Sequence, residues 1–125
     1  LHENEAMIGI LDIAQVTWES GQFIEGRCLA IPKRHVTHYY ELDDEETARL
    51  FFGASALARK IKRAFGPDFV TILIRGQRVP HAHVILQPSY LNDPADKMFA
   101  YLATECFKLP PEEQLDSIAK KIMEA

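Results

Sequence analysis

The chain has 125 residues, enough for one domain with a real core and too few for two. Hydrophobic residues at 47% and charged residues at 26% are ordinary for a soluble globular chain. A net charge of −4 weighs against nucleic-acid binding by bulk electrostatics, yet it leaves room for a small phosphorylated ligand held by a few local groups.

The longest apolar runs fall far short of a membrane span, so no transmembrane segment is expected. The first residues, LHENEAMIGI, lack the basic and then long apolar regions of a signal peptide, and the missing initiator Met suggests a trimmed start. Cys28 and Cys106 are too few and too far apart for a disulfide framework or a zinc ligand set, and they fit a reducing cytoplasm.

In chain order, MIGILDI (Met7 to Ile13) is an apolar run of strand length, and EGRCLAIP (Glu25 to Pro32) is a second strand that Pro32 ends. The stretch between them, AQVTWESGQFI, reads as a hairpin arm or a loop. A long helix is predicted from about Asp44 to Phe65, with Asp43 and Glu46 in capping-box spacing. Leu50, Ala54, Leu57, Ile61 and Phe65 form its apolar stripe; Lys60, Lys62 and Arg63 suit its negative end, and Gly66-Pro67 stops it. Asp68 to Arg75 and Arg78 to Gln87 then read as two strands of an antiparallel hairpin, separated only by Gly76 and Gln77. Asp93-Pro94 opens a helix with Phe99, Leu102, Ala103 and Cys106 on one stripe. PPEEQLDSIAKKIMEA begins a last helix, with Leu115, Ile118 and Ile122 on one face. The fold class is α+β: antiparallel strands with segregated helices. One domain is expected over residues 1–125, with a core of about 3–88 and a helical extension of about 93–124.

The residues with chemical potential lie in GQRVPHAHVILQP, Gly76 to Pro88. On a strand, His81, His83, Ile85 and Gln87 share one face. Two neighbouring imidazoles are not both cheaply charged, so at least one offers a neutral lone pair for nucleophilic attack or for a metal. The plainer reading is a solvated strand face with incidental histidines. Asp12 at a strand end could merely cap a turn. His35 and His38 read as surface residues, and Trp18 as a residue packed against the sheet or, in an exposed insertion, stacked on a base.

GQRVPHAHVIL resembles the signature of the histidine triad family of nucleotide hydrolases and transferases, with Gly76, Gln77, Val79, His81 and His83 in place. ENEAMIGILDI and GRCLAIPKRHV are similar to that family's preceding strands, and the likeness runs from about Glu3 to Pro88. It implies a sandwich of about five antiparallel strands under the long helix, and a homodimer. It further implies that His83 is the nucleophile toward the α-phosphorus of a nucleotide, supported by His81 and His35. By the same resemblance Asp12 binds ribose, Ile13 lines the base pocket and Gln77 donates a hydrogen bond near the phosphates. No cofactor is implied beyond a divalent metal ion that a polyphosphate substrate could bring, and neither nucleic acid nor membrane is an expected partner.

The chain departs from that pattern in three places. Ile85 stands where most of the family has a third histidine, and isoleucine neither donates a hydrogen bond nor protonates anything. The loop before Gly76 is short and holds no asparagine; Arg75 or Arg78 could supply the lost phosphate contacts or be ordinary turn residues. Residues 14–26 form an insertion, and the C-terminal helices exceed the usual short tail. The leading expectation is hydrolysis or transfer of a nucleotidyl group from a dinucleoside polyphosphate or a nucleoside phosphoramidate. The alternatives are a nucleotide-binding or partner-binding module with little catalysis, and a zinc site built from His81 and His83 with His35 or His38.

Overall fold

A computed structural model describes residues 1–13, 16–17, 23–76, 78–105 and 108–125, with only the backbone described at 16–17 and 23–24. Its main sheet has five antiparallel strands: β1 (His2–Glu3), β2 (Met7–Leu11), β5 (Cys28–Pro32), β6 (Phe69–Leu73) and β7 (Val84–Ser89). They lie in the order β1-β2-β5-β7-β6. Between β2 and β5, β3 (Val16–Thr17) pairs with β4 (Phe23–Ile24), so the ends of the inserted segment form a hairpin arm. The fold class and strand number expected from the sequence are those observed.

Helix α1 (Asp44–Phe65) begins and ends at the expected residues. The Asp43 carboxylate accepts from the Glu46 amide at 2.8 Å, and the Glu46 carboxylate accepts from the Asp43 amide at 3.2 Å. Gly66 closes it in the left-handed conformation at φ 63°. Its inward stripe of Leu50, Ala54, Leu57 and Ile61 meets Met7, Cys28, Ala30, Val84 and Leu86 from alternate positions of three strands. Phe65, expected on that stripe, is 44% exposed because it lies in the last turn, where its ring covers Gly26.

Close approach of α1 to β2 depends on Gly53. A methyl group there would run into Met7 Sδ and lie 2.6 Å from its Cε, and Met7 is completely buried. Gly53→Ala should therefore destabilise the fold by about 1–3 kcal/mol through overpacking, despite alanine's better helix propensity. Urea unfolding checks this; an unchanged or raised midpoint would show that Met7 can move aside.

The expected hairpin has the right partners and the wrong turn. Leu73 pairs with Ile85, so residues 74–83 form the connection in place of a two-residue turn at Gly76-Gln77. The Ala82 amide donates to the Val36 carbonyl at 2.8 Å, which holds this segment against the chain after β5. Pro80 has no N–H to offer a ladder. Helices α2 (Pro94–Thr104) and α3 (Glu112–Met123) start as expected, α2 with the Asp93 carboxylate accepting from the Asp96 amide. Neither contributes a buried residue: Phe99, Leu102, Leu115 and Ile118 are all 40–47% exposed. None of the helices among the described residues is long and apolar enough to cross a membrane.

Candidate active site

The sheet face away from α1 carries the candidate site. Ala82, Val84 and Leu86 are buried toward the core, which turns His81, His83 and Ile85 to the other side. The alternation read from the sequence holds there, although the hydrogen-bonded strand begins only at Val84. Gln87, the next residue of that face, is buried, and its amide donates to the Pro88 carbonyl at 3.3 Å.

His35 and His81 lie 46 positions apart and meet because the Ala82–Val36 bond ties their segments together. A carbonyl oxygen only accepts, so the 3.1 Å contact with Pro32 fixes a proton on His81 Nε2. With both rings neutral, His81 Nδ1 is then the acceptor, and His35 Nδ1–H donates to it at 3.0 Å. His83 is fixed in the same way: its Nδ1–H donates to the His81 carbonyl at 2.9 Å. In the neutral ring the lone pair therefore lies on Nε2, as nucleophilic attack requires.

Arg34 holds the segment that carries His35 against α1. Its guanidinium donates to both Glu46 carboxylate oxygens, at 2.9 Å each for the shortest contacts, and to the Glu41 carbonyl at 3.1 Å. The hydrogen bonds from Arg34, with those from Asp43, draw the Glu46 carboxyl down from 4.5 to about 2. A lowered folded-state value stabilises above the unfolded one and is lost as pH falls through it. Glu46→Gln should thus melt below wild type at pH 7, with the gap closing between about pH 4.5 and 2. A gap that persists at pH 2 in thermal melts would assign the loss to something other than the charge.

Two cavities flank His83. One, of about 330 Å³, is lined by Leu29, Ile31, Val79, His81 and His83. The other, of about 350 Å³, is lined by Arg27, Arg75, Gly76, Arg78, Val79, His83 and Ile85. Among the described residues, the first is apolar beyond its two imidazoles, and the second has three guanidinium groups and no carboxylate in its wall. Arg75 and Arg78, candidates from the sequence, thus lie beside His83 and Ile85. Arg27 was missed. Its only sequence signal is the Gly26-Arg27 pair, where the resembling family often has Gly-His.

Asp12 is buried, and its carboxylate meets Arg27 Nε at 2.8 Å, while its amide donates to the Arg27 carbonyl at 3.0 Å. It therefore reaches the second cavity through Arg27. Ile13 is 99% exposed and lines neither cavity. Gln77 and Trp18 lie outside the described residues. His38, expected at the surface, is half-buried: it stacks on Tyr40 at 5.1 Å and shares a small crevice with Arg75, Gly76 and His83. Gly76 has φ 75°, and a Cβ there would come within 3.0 Å of His38 Nδ1, so the turn needs glycine on both counts. Among the described residues, no group of three or more His, Cys, Asp or Glu side chains is arranged to hold a metal ion. His81 has both ring nitrogens engaged with Pro32 and His35.

The family model described as HIT domain matches residues 18–89. "Protein hit" of Bacillus subtilis is 32% identical over 98% of this chain and 83% of its own length. The adenosine 5'-monophosphoramidase of Schizosaccharomyces pombe is 31% identical over 67% of this chain and 55% of its own length. A crystal structure from Streptococcus mutans superposes with a TM-score of 0.77 at 29% identity, covering 99% of this chain and 74% of that one. The Bacillus and Streptococcus matches extend through α2 and α3.

Proposed function

This chain belongs to the HIT family, and on that premise we propose that it hydrolyses or transfers the nucleotidyl group of a small nucleotide through His83. The observation that carries the reading is the 2.9 Å bond from His83 Nδ1–H to the His81 carbonyl, which leaves Nε2 as the basic nitrogen beside two ligand-sized cavities. His83 Nε2 attacks the α-phosphorus, and the bond to the leaving group breaks with its electron pair going to that group. Water then cleaves the phosphorus–nitrogen bond, releasing a nucleoside monophosphate and a proton and restoring neutral His83. His81 supports the nucleophile through its carbonyl, and His35 orients His81. The cavity with Leu29 and Ile31 suits the apolar faces of a nucleoside, and the arginine cavity suits phosphate. The name of the Schizosaccharomyces relative supports a nucleotide with adenosine as its nucleoside.

A mass-spectrometric time course with diadenosine polyphosphates, an adenosine phosphoramidate and a nucleotide sugar tests this. Release of a nucleoside monophosphate is expected; no turnover of any of them, with AMP still bound, would favour the binding-module reading. One observation supports that second reading: Ile85 beside His83 offers no hydrogen to a leaving group.

A homodimer is part of the proposal. The outward apolar faces of α2 and α3, with Phe99, Leu102, Leu115 and Ile118, offer surface for a second copy. Sedimentation equilibrium should give twice the chain mass, and a monomer at micromolar concentration would remove this part.

A further inference from the structure

Resting on that reading, we propose that Arg27, Arg75 and Arg78 form a subsite for an anionic leaving group, with Arg27 as a specificity-determining residue. The three arginines and Ile85 line one cavity beside His83, and among the described residues no carboxylate lines it with them. Asp12 lies behind Arg27 and contacts Nε at 2.8 Å, so this carboxylate orients the guanidinium. Such a fork is planar and permanently charged, which suits phosphate oxygens better than lysine does.

Chemistry at position 85 narrows the substrate class. Isoleucine gives no proton, so an amine, which must be protonated to leave, receives no help from it. A polyphosphate leaves without a proton. When the bond from the α-phosphorus to the bridging oxygen breaks, the electron pair stays on that oxygen, and the arginines compensate the growing negative charge. The substrate class is therefore a nucleotide whose leaving group is a polyphosphate chain, favoured over a nucleoside phosphoramidate. In this arrangement Asp12 acts as a positioning residue through Arg27.

The test uses the full chain without added divalent ions at fixed ionic strength. Affinity for inorganic tripolyphosphate is measured by calorimetry, and kcat/KM is measured for diadenosine tetraphosphate and adenosine 5'-phosphoramidate. Wild type should prefer the tetraphosphate. Arg27→Gln and Arg75→Ala should each weaken tripolyphosphate binding by about 10-fold or more. Each should lower kcat/KM for the tetraphosphate by a similar factor and lower it for the phosphoramidate by a clearly smaller one. Arg59→Gln, on the outer face of α1, is the control for bulk charge and should change neither. Arg75→Ala leaves the Arg27–Asp12 pair intact, so it answers the question even if Arg27→Gln fails to fold. Unchanged tripolyphosphate affinity in Arg75→Ala, an equal fall on both substrates, or a wild-type preference for the phosphoramidate would overturn the proposal. If neither substrate turns over while tripolyphosphate still binds through these arginines, the anion subsite stands and the nucleotidyl-transfer reading falls.

Discussion

His83→Ala should reduce turnover of every nucleotide substrate by at least about 10³-fold while leaving AMP affinity within a few-fold of wild type. The asymmetry follows from the geometry. Among the described residues His83 makes one side-chain bond, to the His81 carbonyl, and the His35–His81 and His81–Pro32 bonds do not pass through it. Alanine also suits an extended, half-buried position, so both cavities keep their remaining walls. Single-turnover kinetics with diadenosine tetraphosphate, beside AMP binding by calorimetry, separate the two effects. Persistent turnover would remove His83 as the nucleophile. A parallel loss of AMP binding would show that the substitution disturbs the site as a whole.

Ile85→His should raise phosphoramidate cleavage by about 10²-fold and polyphosphate cleavage far less, because only the amine must leave with a proton. Position 85 can hold the ring: Ile85 is half-buried, lines the arginine cavity, and pairs across the sheet with Leu29 and Leu73. Two residues along a strand place the new imidazole about 7 Å from its neighbour on that face. The nearby arginines disfavour a second positive charge, so the gain should be largest at mildly acidic pH. Rates for both substrates from pH 5 to 8 decide it. Equal gains, or none, would exclude a missing proton as the consequence of isoleucine at this position.

Local sequence was strongest where one element supplies its own signal. Helix α1 is the clearest case, since the Asp43–Glu46 box, the Leu50–Ile61 stripe and Gly66 all act within a few residues of one another. The His81–Ile85 face was equally legible, because side-chain direction on extended chain depends only on the alternation of neighbours. The turn between β6 and β7 was not. A donor 46 positions from its acceptor, Ala82 to Val36, widens it, and no local pattern announces that bond. The same limit hid the arginine cavity: Arg27, Arg75 and Arg78 come from two distant segments and share a wall only after β5 pairs with β7. The apolar residues read on α2 and α3 stay exposed, and Cys106 of the α2 stripe lies outside the described residues; periodicity says that a face needs a partner and not where that partner lies.

The sequence by itself determined the α+β class, the long helix and the row of two histidines and an isoleucine, because capping, periodicity and alternation are short-range. Tertiary structure alone decided that His35 donates to His81, that His83 presents Nε2, and that Asp12 orients an arginine. Those are contacts between segments far apart in the chain, and the sheet order that brings them together is set by the shared core under α1.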